Sequence, residues 1–333
     1  SEGFFEKGHI HFPVTAKILE FKFEDVAKLL PKSAQGTSAA AWVENKLSKG
    51  RVFDVDLETQ IDLRNNQDTG EKSFVIADPK INFKFEGLTV EYSDTLMPVE
   101  HAVGHGIYEK DSLMITGEAG DIGMVKGTNI DVALTDLSVA GGGLAKIKLH
   151  GHGPLSAVLN YISAEPIVLG KDETGIDPKL VSGDVSFDLD LQFPTLKDLP
   201  KEEVTVIIDG VINDTKLPSI VRSLDLTGGP YNLSFAKGKL GLKGKGQLSG
   251  RAIDLDYQQY LDPKGKDFET QVKAKIRADK DLRDVFGIGL EEYIRGSAPV
   301  DVTYTEHANG NANVKVKGTM APATVTIEPF SLG

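Results

Sequence analysis

Along nearly the whole chain, apolar residues recur at every second position, in runs too regular for anything but β-strands. Phe53, Val55, Leu57, Ile61 and Leu63 alternate with Asp54, Asp56, Glu58, Gln60 and Asp62. Val185, Phe187, Leu189, Leu191 and Phe193 alternate with Asp184, Ser186, Asp188, Asp190 and Gln192. Phe268, Val272, Ala274 and Ile276 alternate with Glu269, Gln271, Lys273, Lys275 and Arg277. Shorter runs include Ile81, Phe83 and Phe85, then Val204, Val206 and Ile208, Ile253, Leu255 and Tyr257, and Val300, Val302 and Tyr304. Successive strand residues face opposite ways, so each run has one apolar and one polar face. The predicted fold is mainly β: a long, twisted, largely antiparallel sheet of repeated β units forming an open hydrophobic groove, with a few short docking helices.

Glycine marks where such a sheet must bend. In "FEGLTVEY" the apolar parity switches from Phe85 to Leu88, Val90 and Tyr92 across Gly87, which predicts a bulge there. Ser38 can cap a short helix that places Trp42, Val43 and Leu47 on one face and ends at Gly50, a plug for the sheet's apolar side. "GHGPLSAVLNYI" has Pro154 in a first turn, followed by Leu155, Val158, Leu159 and Ile162 at helical spacing. Shorter helical turns are expected in "EDVAKLLPK" and over 280–294. Residues 81–123 can be laid against 204–246 as a weak internal duplication, with few identities. We read residues 1–333 as one elongated β-groove segment, with possible repeat units near 50–165 and 180–333.

Charge and composition narrow the function. A formal net charge of -12 disfavours nucleic acid as a partner. The absence of cysteine removes thiolate metal sites, disulfides and thiol catalysis. No run of 18 apolar residues and no signal peptide is present, and the chain starts at Ser1, so we expect a piece of a longer protein.

Candidate chemistry is sparse. "KLHGHGPLSAVL" lacks the spacing of a phosphate-binding loop and reads as a tight turn into a helix. Six of the seven histidines form the pairs His9/His11, His101/His105 and His150/His152, spaced to share a strand face. No carboxylate is placed with each pair, and we expect no metal and no cofactor. His101 and His105 share parity with Val99, Val103 and Ile107, which predicts a bulge or a rim position. The carboxylate pairs Asp54/Asp56, Asp188/Asp190 and Asp254/Asp256 lie on polar parity, whereas acid–base catalysis needs two differing environments. The chain is not expected to be an enzyme.

Four ordered signatures, "AWVENKLSKGRVFDVDLE", "GHGPLSAVLNYISAEPIVLGKD", "KGKGQLSGRAIDLDY" and "ADKDLRDVFGIGLEEYIRGSAPVDVTYT", resemble the central region of YhdP-type members of the AsmA-like superfamily, relatives of TamB. The resemblance covers nearly the whole chain. It implies a periplasmic segment of a large Gram-negative envelope protein whose parent is anchored in the inner membrane. It also implies phospholipids as cargo, with the inner and outer membranes reached through other parts of the parent.

Elementary energetics fits such a role. Exposing an acyl chain to water costs about 0.8 kcal/mol per CH₂, so two ordinary chains face a barrier on the order of 20 kcal/mol. A continuous apolar gutter removes most of it. By parity, the lining comprises Phe53, Val55, Leu57, Ile61, Phe83, Phe85, Phe187, Leu189, Leu191, Val206, Ile208, Leu255, Val272 and Ile276. The same alternation also suits a closed β-sandwich or solenoid scaffold or adhesin without lipid, and the paired carboxylates leave a carbohydrate-active β enzyme as a third reading.

Overall fold

The computed structural model describes residues 4–6, 9–26, 43–65, 72–138, 143–164, 176–196, 199–288, 296–320 and 323–331. Eighteen strands hold most of them and the helices are few and short, so the protein is mainly β. Every described strand register is antiparallel. The chain divides into two compact units, residues 1–150 with 190–205, and 151–189 with 206–333.

The first unit contains β1 (Phe4–Glu6), β2 (His9–Lys22), β3 (Leu47–Ser48), β4 (Arg51–Asn65), β5 (Lys72–Val90), β6 (Val99–Glu109), β7 (Ser112–Ile122) and β8 (Val125–Thr135). They pair in the order β1–β2–β4–β5–β6–β7–β8, with β3 also on β5. The 15 residues of β4 span about 50 Å at ~3.3 Å per residue. Such long strands are creased rather than flat. Ile18 pairs with Val55 and Glu20 with Phe53, leaving Leu19 and Asp54 opposite each other, and Asp54 has φ 50°. Alternation restarts out of phase beyond that point. Gly87, at φ +71°, flips β5 so that Phe85 and Leu88 are both buried, as its sequence predicts. Gly50, at φ +66°, lies against this bulge, and a Cβ there would overlap the Glu86 carbonyl oxygen.

One end of this unit's apolar face is closed. Phe23, Val52, Val55, Phe85, Leu88 and Ala102 are buried together, covered by the 3₁₀ turn Phe23–Asp25 and by Val26, Val43 and Leu47. Val43 is helical, whereas Leu47 already belongs to β3 and pairs with Val90. Both pack on the cluster. Trp42 lies outside the described residues.

The second unit is a meander of β11 (Thr205–Val221), β12 (Leu224–Ala236), β13 (Lys239–Leu248), β14 (Arg251–Tyr260), β15 (Thr270–Ala278), β16 (Ala298–Glu306), β17 (Ala312–Met320) and β18 (Ala323–Ser331). The strands β9 (Leu144–Pro154) and β10 (Ser182–Pro194) carry the chain across the division between units. Helix α1 (Leu155–Ile162) follows Pro154 as its spacing predicts, and buries Leu155 and Ala157. Helix α2 (Lys280–Val285) is capped by the Asp279 carboxylate, which accepts from the Leu282 amide at 2.9 Å. Both helices pack on a core of Val185, Ile212, Leu217, Leu224, Leu226, Tyr231, Leu248, Ile253 and Ile276.

The two glycines that the sequence comparison lays together differ in their backbone. Gly87 is a bulge, but Gly210, its counterpart, lies within β11 against Phe187. β11 is instead irregular at Asp214, φ 49°, where the ladder is interrupted between Ile212↔Tyr231 and Thr215↔Gly228 without a change of register, and the register shifts only further on, between Leu217 and Val221. What does repeat is the use of bare glycine backbone under an aromatic ring. Phe83 covers Gly106, Phe85 covers Gly104, Phe187 covers Gly151, and Tyr231 covers Gly244 and Gly246. Inward-facing glycines leave backbone uncovered, and the neighbouring ring shields it.

Asp279 ties α2 to the sheet through Arg251, whose Nε donates to its carboxylate at 2.7 Å. That bond, with the Leu282 amide, holds the Asp279 carboxyl below its usual range. A depressed folded-state pKa stabilises the fold above the unfolded value, and the gain is lost as pH falls through the folded one. Melting temperature should therefore drop below about pH 4, and this acid limb should be shallower in Asp279→Asn. Parallel melting profiles between pH 7 and 3 would discount the contact.

Candidate functional site

Away from the helices, each unit keeps an apolar face that is only half-covered. In the second unit the register aligns Leu233, Leu242, Tyr257, Val272, Tyr304 and Val314 in one row crossing β12 to β17. All six are half-buried. The next row toward the helices runs Tyr231, Gly244, Leu255, Ala274, Val302 and Val316. In the first unit Ala16, Leu57, Ile81, Tyr108, Leu113 and Leu134 form a comparable half-buried row across six strands. Strands lie about 4.8 Å apart, so each row runs ~24 Å across its sheet.

The rows are apolar in effect as well as in composition. Burial, with the nearby Glu306 charge, pushes the Tyr257 hydroxyl up to about 12. Burial likewise raises Tyr108 and Tyr304. The tyrosine hydroxyls reach a polar margin, Tyr257 donating to Gln259 at 2.9 Å and Tyr304 to Glu306 at 3.1 Å. Tyrosine suits such a boundary, with its ring on the apolar side and its hydroxyl on the wet side.

The opposite faces are charged. Lys245, Asp254, Lys275, Asp301 and Lys317 alternate in sign across the second unit's outer row. Lys17 meets Asp56 at 3.0 Å, Lys84 meets Asp54 at 2.9 Å, and Lys148 meets Asp190 at 3.1 Å. The carboxylate pairs singled out in the sequence thus face solvent and cross-strand lysines. His101 stands at a bulge with φ 55° and its ring is 3.3 Å from Asp121, while His105 is exposed on β6. His152 meets Ser186 Oγ at 2.9 Å. His9 and His11 lie on β2, where His11 pairs with Asp62.

The lining expected by parity falls into three groups. Leu57, Ile61, Phe83, Val206, Ile208, Leu189, Leu191 and Val272 are half-buried. Val55, Phe85, Leu255 and Ile276 face the same way but are buried, and Phe187 packs against the core over Gly151. Phe53 is the correction. The crease at Asp54 turns it to the charged face, between Glu20 and Lys84, with the Arg51 guanidinium 5.0 Å from its ring centre. Strict alternation misplaces it because one extra residue inverts every face beyond it. Leu233, Leu240 and Leu242 were missed. In "KLGLKGKG" glycines occupy part of the inward parity, and the signal was the L-x-L-x-G-x-G period itself.

One-sided antiparallel sheets, each with a long apolar face incompletely covered by short helices, define the structural class. The family model for the YhdP protein matches residues 5–326, and the chain belongs to that family. The family is part of the AsmA-like group of cell-envelope proteins. No curated protein and no solved structure matches the chain. Among the described residues, no helix is long and apolar enough to cross a membrane.

Proposed function

We propose that this chain is a segment of a periplasmic lipid conduit, in which phospholipid acyl chains lie along the half-covered apolar rows. The observation that carries this reading is the row from Leu233 to Val314, six aligned apolar or tyrosyl side chains only half-buried, with a charged face behind them. The part of such aliphatic and aromatic groups that water still reaches gains about 25 cal/mol per Å² when an acyl chain covers it, and the acyl chain gains likewise. Movement along the row exchanges one apolar contact for another, so no catalytic group is required. Contact with the inner and outer membranes falls to parts of the parent protein outside this chain.

Photo-crosslinking tests the reading. A benzoylphenylalanine at Leu242 or Val272 is expected to capture co-purifying phospholipid, while one at Lys243 or Lys273, the next residue on the outer face, is not. Equal capture from both faces, or none from either, overturns it.

A further inference from the structure

Behind the apolar row, on the outer face of the second unit, two columns of cations flank a strand of shorter side chains. Lys273, Lys275 and Arg277 stand on β15, and Lys315 and Lys317 on β17, all five exposed. Between them β16 presents Pro299, Asp301 and Thr303, which the register places opposite Arg277, Lys275 and Lys273 on one side. On the other side Asp301 faces Lys317 and Thr303 faces Lys315. Long side chains on both flanks of short ones make a trough. Its Arg277 end holds a cavity of about 310 Å³, lined by Ala252, Lys275, Arg277, Pro299, Asp301 and Lys317.

The trough is strongly positive in a negative chain. Five cations and one carboxylate give it +4, which leaves -16 on the rest of a chain of formal net charge -12. On the first unit's outer face Lys17, Lys84 and Lys148 each bridge to an aspartate. None of the five trough cations forms an ion pair among the described residues. Thr303 stands between Lys273 and Lys315, where a carboxylate would have neutralised both. Asp254 and Asp256 pair with Lys275 and Lys273 from the far side of β15, and Asp256 instead meets Lys243 at 3.7 Å. Arg277 donates to the Ser297 carbonyl at 3.3 Å and hydroxyl at 3.2 Å, which holds its guanidinium at the end of the trough.

Neighbouring strands lie about 4.8 Å apart and alternate residues of a strand about 6.7 Å apart, so the columns are roughly 9–10 Å apart with rungs of ~6.7 Å. An extended polypeptide has the same rung, and its side chains alternate between two sides. We propose that this trough docks an extended acidic segment of a partner protein, a run of about five Asp or Glu residues whose carboxylates turn alternately to β15 and β17. Each then meets an exposed ammonium or guanidinium in a charge-assisted hydrogen bond. No aromatic side chain lines the trough among the described residues, so nucleic-acid bases have no ring to stack on and a bilayer has no interfacial anchor to take up. At physiological salt a charge is felt over about 8 Å, so a short acidic run is attracted where a longer polyanion also meets the repelling remainder of the chain.

The test is fluorescence anisotropy of a labelled hexaglutamate peptide titrated with the full chain. Lys275→Gln/Arg277→Gln/Lys317→Gln is expected to weaken binding about tenfold, as the loss of three exposed pairs allows. Asp301→Asn should tighten it about threefold, because the trough's own carboxylate no longer repels the peptide, and a purely structural role for Asp301 would not have that sign. Lys17→Gln/Lys84→Gln, on the first unit, should bind as wild type does. Circular dichroism reports the fold of all three variants. No binding of hexaglutamate, or an equal loss in the first-unit control, overturns the trough. Tighter binding of decathymidylate or of phosphatidylglycerol vesicles than of hexaglutamate overturns the protein partner in favour of a nucleic acid or a membrane. Full displacement by equimolar pyrophosphate overturns it in favour of a small-anion site.

Discussion

Val272→Asp is expected to reduce lipid capture by the second unit more than a hundredfold while the unit stays folded, whereas Ile276→Asp is expected to unfold it. The two positions share strand β15 and the same face, four residues and about 13 Å apart. Ile276 is 7% exposed within the core, while Val272 is half-buried on the margin of that core. A carboxylate at 276 is left buried and unpaired, at a cost of several kcal/mol against a typical domain stability of about 5–15 kcal/mol. At 272 the new carboxylate keeps its water while the face is empty, so stability falls by only about 1 kcal/mol. An acyl chain laid over it must strip that water, which costs at least a few kcal/mol, and each 1.4 kcal/mol is about tenfold in affinity. Thermal melts and bound-lipid mass spectrometry on both variants separate the cases. If Val272→Asp unfolds the unit as thoroughly as Ile276→Asp, the face is a closed core and the scaffold reading replaces the conduit.

Gly246→Ala is the second large effect, about 2–4 kcal/mol of destabilisation. Tyr231 is fully buried, and its hydroxyl donates to the Thr227 carbonyl at 3.2 Å. Its ring lies against the backbone of Gly244 and Gly246, so a methyl at 246 would overlap the Tyr231 hydroxyl and the Thr227 carbonyl oxygen. The ring has no free direction because Ile212 pairs with it from β11 and the core closes around it. Tyr231→Leu is itself costly, but Tyr231→Leu/Gly246→Ala should be less unstable than the sum of the single changes, since the collision is gone. Urea unfolding of the four proteins checks this. A Gly246→Ala chain as stable as wild type, or strictly additive losses, would falsify the claim that the ring occupies the space of the missing side chain.

Both predictions turn on where a shared pattern of alternation is covered and where it is not. In each unit, short segments from outside the sheet close one end of the apolar face: the Phe23 turn with Val26, Val43 and Leu47 in the first, and α1 with α2 in the second. Burial of several large side chains at those ends, each contributing about 1.5–3 kcal/mol, gives each unit its own core. The remaining rows stay half-buried, with Leu233, Leu242, Tyr257 and Val272 packed along the margin of the second unit's core.

Alternation at Val272, Ala274 and Ile276, or at Leu57 and Ile61, was sufficient to assign strands and faces, because a pleated strand has no other way to separate apolar from polar side chains. Gly87 announced its bulge by switching parity within three residues. Asp54 did not, because aspartate is at home on a polar face and only its positive φ reveals the extra residue. Pro154 followed by helical spacing fixed α1. Whether an inward residue is lining or core was beyond one-dimensional reading: Val272 and Ile276 are equivalent in pattern, and only the docking of α2 and its neighbours on one end of the sheet separates them.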